Sequence, residues 1–282
     1  MTKIITITSA CLALMLTACS KEQTTQPIQS DVDNTTEHNQ TLRIAAAANL
    51  SDVLPEIIAG YKKDKSLPAQ EIEVTYASSG KLYAQIISGA PYDIFLSANQ
   101  EFPAKLAKEK LDNLKSVDIT TYQPFTYTQG QLALYSTTKS LRGLNPTTLN
   151  ELLTTGSDSK ITIANPELAP YGKSAQAYLQ AQNIFDTLTE QNRIIQAENI
   201  GQAFQYAHTG NVDYGFVAQS QLTAIKATPE QFYTLAPESY PAILQDGIVL
   251  SDATAATDFS NYLRAPAGQQ YFSKAGYLVV DR

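Results

Sequence analysis

The densest chemistry in this 282-residue chain lies in one short stretch, Ser78-Ser79-Gly80-Lys81. It follows a β-rich run, Ile72 to Tyr76, and precedes a helical pattern in which Leu82, Ile86 and Ile87 share a face. A strand that delivers its end into a helix start exposes unpaired N–H groups and the positive end of the helix dipole, which together attract anions. The two serine hydroxyls add donors, and Gly80 permits a ligand to approach the backbone closely. Two other readings stand beside this one. Serine before a helix is an ordinary N-cap, and Ser78 with Lys81 forms the S-x-x-K pair of penicillin-recognising acyl-enzymes. The K-T-G triad that accompanies that pair is absent from the chain.

Other reactive groups are scarce. The chain has two histidines, two cysteines and no tryptophan, so transition-metal and redox chemistry have little to work with. A serine nucleophile would have to rely on His208, in a helical stretch, because His38 lies in a polar segment and no G-x-S-x-G elbow occurs. Gly172-Lys173-Ser174 fails as a P-loop because Glu167 stands where a glycine is needed, and Thr75 fails Gly80-Lys81 in the same way. No free metal cation is expected, since there is no H-E-x-x-H, no mature cysteine pair and no EF-hand loop. Asp213 and Asp246 read as isolated solvated or capping residues. A formal net charge of −7 argues against nucleic acid and against adsorption to anionic lipid.

The elements that must position this chemistry begin after a processing signal. Lys3 and the apolar run Ile4 to Leu16 are too short to span a bilayer, and Leu16-Thr17-Ala18-Cys19 resembles a bacterial lipobox. Residues 1–18 are therefore expected to be removed, leaving Cys19 as a lipidated N-terminus that anchors the exported protein to a membrane. Residues 19–41 are polar and read as a flexible tether, with a reach of roughly 25 Å. From Leu42 onward strands and helices alternate. Strands are expected at 42–48, 72–76, 94–97, 131–135, 161–164, 193–196, 212–218 and 243–250, and each of several strand ends runs directly into a helix. That pattern implies α/β lobes with mainly parallel sheets, joined by crossing strands rather than by a linker. Ligands in such folds collect at the carboxyl ends of strands. Four such corners stand out, at Ala48-Asn49, Ser78-Ser79, Pro170-Tyr171-Gly172 and Asn199-Ile200, and none is charged.

In order along 42–282, the landmarks resemble the molybdate-binding proteins of bacterial ABC importers, which have the type II periplasmic-binding-protein fold. The segments that carry the resemblance are Ala45-Ala-Ala-Ala-Asn-Leu-Ser51, Tyr76-Ala-Ser-Ser-Gly80, Gly89-Ala-Pro-Tyr-Asp-Ile-Phe-Leu-Ser-Ala98, Asn165 to Gly172, Ala197-Glu-Asn-Ile200 and Tyr214-Gly-Phe-Val217. The resemblance implies a carrier, not an enzyme, with no cofactor. Its ligand would be molybdate or tungstate, bound as an oxyanion, and sulfate and phosphate remain alternatives. Its partner would be an ABC permease in the inner membrane, and a monomer is expected. The ligand contacts it implies are Asn49, or Ala48 and Asn49 together, by backbone and side chain, then Ser79 by hydroxyl and N–H, Tyr171, and Ile200 by its N–H. Some members donate a tyrosine hydroxyl from the position occupied here by Ala218, and Tyr171 is the candidate to replace it. Lys81 and Lys173 read as solvated bystanders. The implied domains are 42–122 with 240–282 as lobe I and 123–239 as lobe II, to within about ten residues, with a first crossing near Thr121 to Thr128 and a return between Ala218 and Ile243.

Overall fold

The computed structural model describes residues 41–112, 122–155 and 158–280. The expected signal peptide, Cys19 and all of the tether but Thr41 lie outside the described residues. Two five-stranded sheets form two lobes. The first holds β1 (Leu42–Ala47), β2 (Ile72–Ala77), β3 (Ile94–Leu96), β4 (Phe125–Gly130) and, from late in the chain, β10 (Ile243–Val249), in the order β2-β1-β3-β10-β4. The second holds β5 (Leu132–Tyr135), β6 (Ile161–Ala164), β7 (Ile194–Ala197), β8 (Tyr214–Ala218) and β9 (Phe232–Thr234), in the order β7-β6-β8-β5-β9. In each sheet four strands run one way and the fourth in order runs against them, so half of the pairings are antiparallel.

The central strands are apolar because helices cover both of their faces. Along β1, Leu42, Ile44 and Ala46 face α1 (Leu54–Asp64), α9 (Thr254–Arg264) and α10 (Pro266–Lys274), meeting Ile57, Tyr61, Phe259 and Phe272. Ala45, on the opposite face, joins Leu82 and Ile86 of α2 (Ser79–Ile87) and Leu106 of α3 (Glu101–Asp112). The second lobe repeats this alternation. Leu132 and Leu134 of β5 face α4 (Pro146–Thr155) and α5 (Pro170–Ala181), whereas Ala133 and Tyr135 face α7 (Ile200–His208) and α8 (Gln219–Ala224). The short α6 (Phe185–Glu190) completes the second lobe.

The first crossing lies within the margin of about ten residues on the sequence expectation, at its far end. β4, over the region expected to be the first crossing, is an outer strand of the first sheet paired with β10, so the chain leaves lobe I only at Gln131. Its Phe-Thr-Tyr-Thr-Gln-Gly sequence alternates polar and aromatic residues, as suits a half-buried edge, and so read as a connection. The return runs between Thr234 and Ile243. The β4–β10 ladder also slips by one residue between Gln245 and Asp246, leaving Tyr127 without an opposite partner. Such slips re-aim side chains, and both Tyr127 and Gln245 are buried. Asp246 is buried as well, accepting from Thr126 Oγ1 at 2.7 Å, rather than solvated as its isolation in sequence implied.

Among the described residues, the second lobe has one fully buried cation. Arg193 ties the end of α4 to the start of β7, donating to the carbonyls of Leu153 at 2.6 Å and Ser159 at 2.9 Å and to Ser159 Oγ at 2.6 Å. Replacing it strands those acceptors in the interior, at about 1–3 kcal/mol each before relaxation. Arg193→Met is expected to lower the unfolding free energy by about 2–4 kcal/mol in urea, with an unchanged slope against denaturant. A loss below 1 kcal/mol would show that water replaces the guanidinium.

Candidate functional site: an uncharged cavity between the lobes

The ends of β1, β2, β6 and β7 meet at one small cavity. Its lining includes Ala48 and Asn49, Ser78 and Ser79, Ala169, Pro170 and Tyr171, and Asn199 and Ile200. Each pair sits at the start of a helical turn: the 3-10 turn Ala48–Leu50, then α2, α5 and α7. The first N–H groups of such turns have no partner within the helix. Pro170 opens α5, so Tyr171 supplies the first amide hydrogen there. Asn199 caps α7 by accepting from Gln202 N at 3.0 Å, which fixes the helix start that brings Ile200 to the cavity. No charged side chain lines the cavity. It is about 10 Å³ in size, on the scale at which one water molecule needs roughly 10–15 Å³.

The hydroxyls are arranged as donors. Ser79 Oγ accepts from Ala98 N at 2.9 Å, so its own proton is free to point elsewhere. Tyr171 Oη accepts from Gln245 Nε2 at 3.3 Å, and no acceptor for its proton is found among the described residues. Burial, with neighbouring Tyr277 second, pushes the Tyr171 phenol well above the ordinary tyrosine range, so it keeps that proton. Asn49 behaves differently. Its side-chain Nδ2 donates to Gln245 Oε1 and to Tyr277 Oη, both at 3.0 Å, and Tyr277 Oη donates back to Asn49 O at 2.7 Å. Both amide hydrogens of Asn49 are thus committed to the wall, and only its main chain is left to face a ligand. In this arrangement the side-chain amide of Asn49 is turned to the wall, where the sequence reading expected it to contact the ligand.

The rim of the cavity joins the lobes directly. Gly80 N donates to Leu168 O at 2.8 Å. Ser78 Oγ donates to Glu198 Oε1 at 2.8 Å, and Lys81 Nζ stands 4.0 Å from the same oxygen. Lys173 reaches Glu101 of the first lobe at 3.3 Å. The freedom of Gly80 therefore serves the opposite lobe and not a ligand, since a Cβ there would lie 3.1 Å from both Leu168 Cα and Phe102 Cζ. Lys81 and Lys173 are exposed, and their ion pairs contribute little individually. Ser78 and Lys81 both engage Glu198 rather than each other, which leaves no serine–lysine pair for acyl transfer.

The structure brings all five expected contact residues, Ala48, Asn49, Ser79, Tyr171 and Ile200, to this cavity. Four partners had no sequence signal: Gln245, Tyr277, Glu198 and Gly130. Gly130 is the point of departure from lobe I, and a Cβ there would fall 2.1 Å from Tyr171 Oη. His208 lies far along α7 from the cavity end, stacked on Phe204 and bonded to Tyr135 Oη at 2.9 Å. Among the described residues no group of three metal-ligating side chains occurs, and no helix is long and apolar enough to cross a membrane.

Comparison with known proteins gives a consistent set of relatives. A family model described as bacterial extracellular solute-binding protein matches residues 42–278. The molybdate-binding protein ModA of Rhodobacter capsulatus is 30% identical over 266 residues, covering 86% of this chain and 99% of that one. A protein of Bacillus subtilis named as a putative ABC transporter substrate-binding lipoprotein, YvgL, is 28% identical and covers 94% of both chains. Among solved structures, the periplasmic molybdate-binding protein of Azotobacter vinelandii superposes with a TM-score of 0.74 at 28% identity, over 85% of this chain and all of that one.

Closure at the rim can be tested without a ligand. Gly80→Ala sets a methyl group against the backbone of Leu168. Small-angle scattering is expected to report a wider separation of the lobes, with a thermal midpoint within about 2–4 °C, the change that roughly 1 kcal/mol makes in a domain of this size. An unchanged profile would show that the rim contact does not limit closure.

Proposed function

The chain belongs to the bacterial extracellular solute-binding proteins, and we propose that it captures molybdate, and tungstate with it, for delivery to an ABC permease in the inner membrane. The observation that carries this reading is the meeting of four uncharged helical starts, two from each lobe, at one cavity. A tetrahedral dianion with four oxo groups only accepts hydrogen bonds. Backbone N–H groups of Ala48, Asn49, Ser79, Tyr171 and Ile200, with the hydroxyls of Ser79 and Tyr171, satisfy it with donors alone. The small cavity fits a compact ion better than an organic phosphate. The overall charge of −7 does not oppose this, because exposed charges beyond about 8–10 Å are screened.

Binding and closure are one event in this scheme. Donors from both lobes reach the ligand together only when the lobes are closed, so the ligand shifts the population toward that form. The protein is a carrier and not an enzyme: it needs no cofactor, binds no free metal cation and works as a monomer. Sulfate is the alternative ligand, since it has the same shape and charge. The relative in Bacillus subtilis, named as a lipoprotein, supports lipid attachment at Cys19 and a membrane-anchored location outside the cytoplasm.

Three measurements test the proposal. Molybdate or tungstate at a thousandfold over its dissociation constant should raise stability by about 4 kcal/mol; a thermal midpoint unmoved by either ion would overturn the assignment. Ser79→Ala removes a hydroxyl that donates to a charged ligand, worth about 1.5–3 kcal/mol, and calorimetry should show a roughly 10- to 100-fold weaker affinity. Affinity should also stay flat between about pH 7 and 9, because burial raises the Tyr171 phenol above the usual value of about 10 and the protonated donor persists throughout that range. A loss of affinity that follows phenol ionisation within it would exclude Tyr171 as a donor.

A further inference from the structure

We propose that Gln245 is the positioning residue that makes the Tyr171 hydroxyl a donor, and thereby sets the discrimination between fully deprotonated and protonated oxyanions. The inference rests on the oxyanion reading and deepens it. A phenol oxygen has two good hydrogen-bonding positions in the ring plane, one for its proton and one for an acceptor pair, since its other pair is delocalised into the ring, so it can donate to a ligand or accept from one. Gln245 removes the choice. Its Nε2 occupies the Tyr171 oxygen at 3.3 Å, and its Oε1 accepts from Asn49 Nδ2 and lies 3.0 Å from Tyr127 Oη. The amide cannot be turned over at equal cost, because Nε2 would then face the Asn49 amide nitrogen, donor against donor. Asn49 is held in turn by Tyr277 from two directions. The orientation therefore propagates from the lobe I wall, through Gln245, to a residue of lobe II.

Three independent features place Gln245 where this can happen. It is fully buried. It sits at the slip in the β4–β10 ladder, which turns it inward beside Tyr127. Gly130, lacking a side chain, leaves the space that the Tyr171 hydroxyl fills, and a Cβ at that position would also meet Gln245 Nε2 at 2.8 Å. Ser79 follows the same rule with a backbone donor, since Ala98 N occupies its oxygen. With each hydroxyl oxygen already accepting one bond from the protein, the proton is the group each is best placed to present to a ligand. Molybdate and sulfate have no proton to place at neutral pH, whereas phosphate keeps at least one, and that proton would meet only donors.

The test is a selectivity ratio, which a purely structural role would not move. Affinities for molybdate, sulfate and phosphate are measured by calorimetry at one pH for the unaltered protein, Gln245→Leu, Tyr171→Phe and the double variant. Gln245→Leu frees the Tyr171 oxygen to accept, so the preference for sulfate over phosphate should shrink at least tenfold. Tyr171→Phe removes the hydroxyl altogether, and adding Gln245→Leu to it should change the ratio by less than twofold, as expected for residues acting through one group. Gln245→Glu, if it folds where Gln245→Leu does not, should pull the Tyr171 proton toward its carboxylate. It should then weaken every dianion, recovering as the pH is lowered toward protonation of the new acid. If Gln245→Leu scales all three affinities by one factor, or if the two substitutions act additively on the ratio, the proposal is overturned. An unaltered protein that binds none of the three anions would instead overturn the oxyanion reading itself.

Discussion

The constraint on which the proposed function depends is that a dianion would have to be held without a countercharge. Four helical starts, whose first N–H groups have no partner within their own helices, meet at the cavity to supply the donors. An unpaired buried donor costs about 1–3 kcal/mol. A closed and empty cleft would hold several, which makes it an expensive state unless water remains. A ligand with enough acceptors removes that cost by satisfying the donors at once. Of the rim bonds between Gly80 and Leu168, Ser78 and Glu198, and Lys173 and Glu101, the last is exposed and the other two are part-buried. They guide closure without fixing it, which a carrier that must release its load requires.

The two lobes solve the positioning problem in the same way. Both sheets place three parallel strands beside an opposed strand, and the opposed strands β10 and β5 are those that follow the two crossings. Neither crossing is a loose linker. Gln131 is the one residue between β4 and β5, and it is anchored through Nε2 to Gly276 O at 2.8 Å. Hinge motion is therefore confined to a few backbone torsions, with the strands on either side moving as part of their sheets.

What was legible in the sequence was local. Each corner announces itself by an apolar strand ending in small or hydroxyl residues just before a helical stripe, so Asn49, Ser79, Tyr171 and Ile200 could be named from spacing and from resemblance. The mixed strand order was not legible, because β10 enters the first sheet from more than a hundred residues away. β4 was missed because its alternating threonines resemble a connection. Gln245, Gly130 and Glu198 were invisible for a related reason. An isolated glutamine, glycine or glutamate acquires a role only from what the fold sets opposite it. Gly80 was read for the right property and the wrong neighbour, since its missing side chain admits Leu168 rather than a ligand.

The anchoring of Asn49 has a consequence for how the molecule becomes competent. The bonds that fix this corner join residues 196 and 228 positions apart, to Gln245 and Tyr277. Contacts of such separation form late, since the entropy of closing the intervening chain is lost before they can contribute. The first corner encoded is therefore among the last completed, after both crossings are made. A fragment, or a chain with only one lobe folded, has no working site. On the proposed function, ligand affinity is thus also a reading of complete assembly.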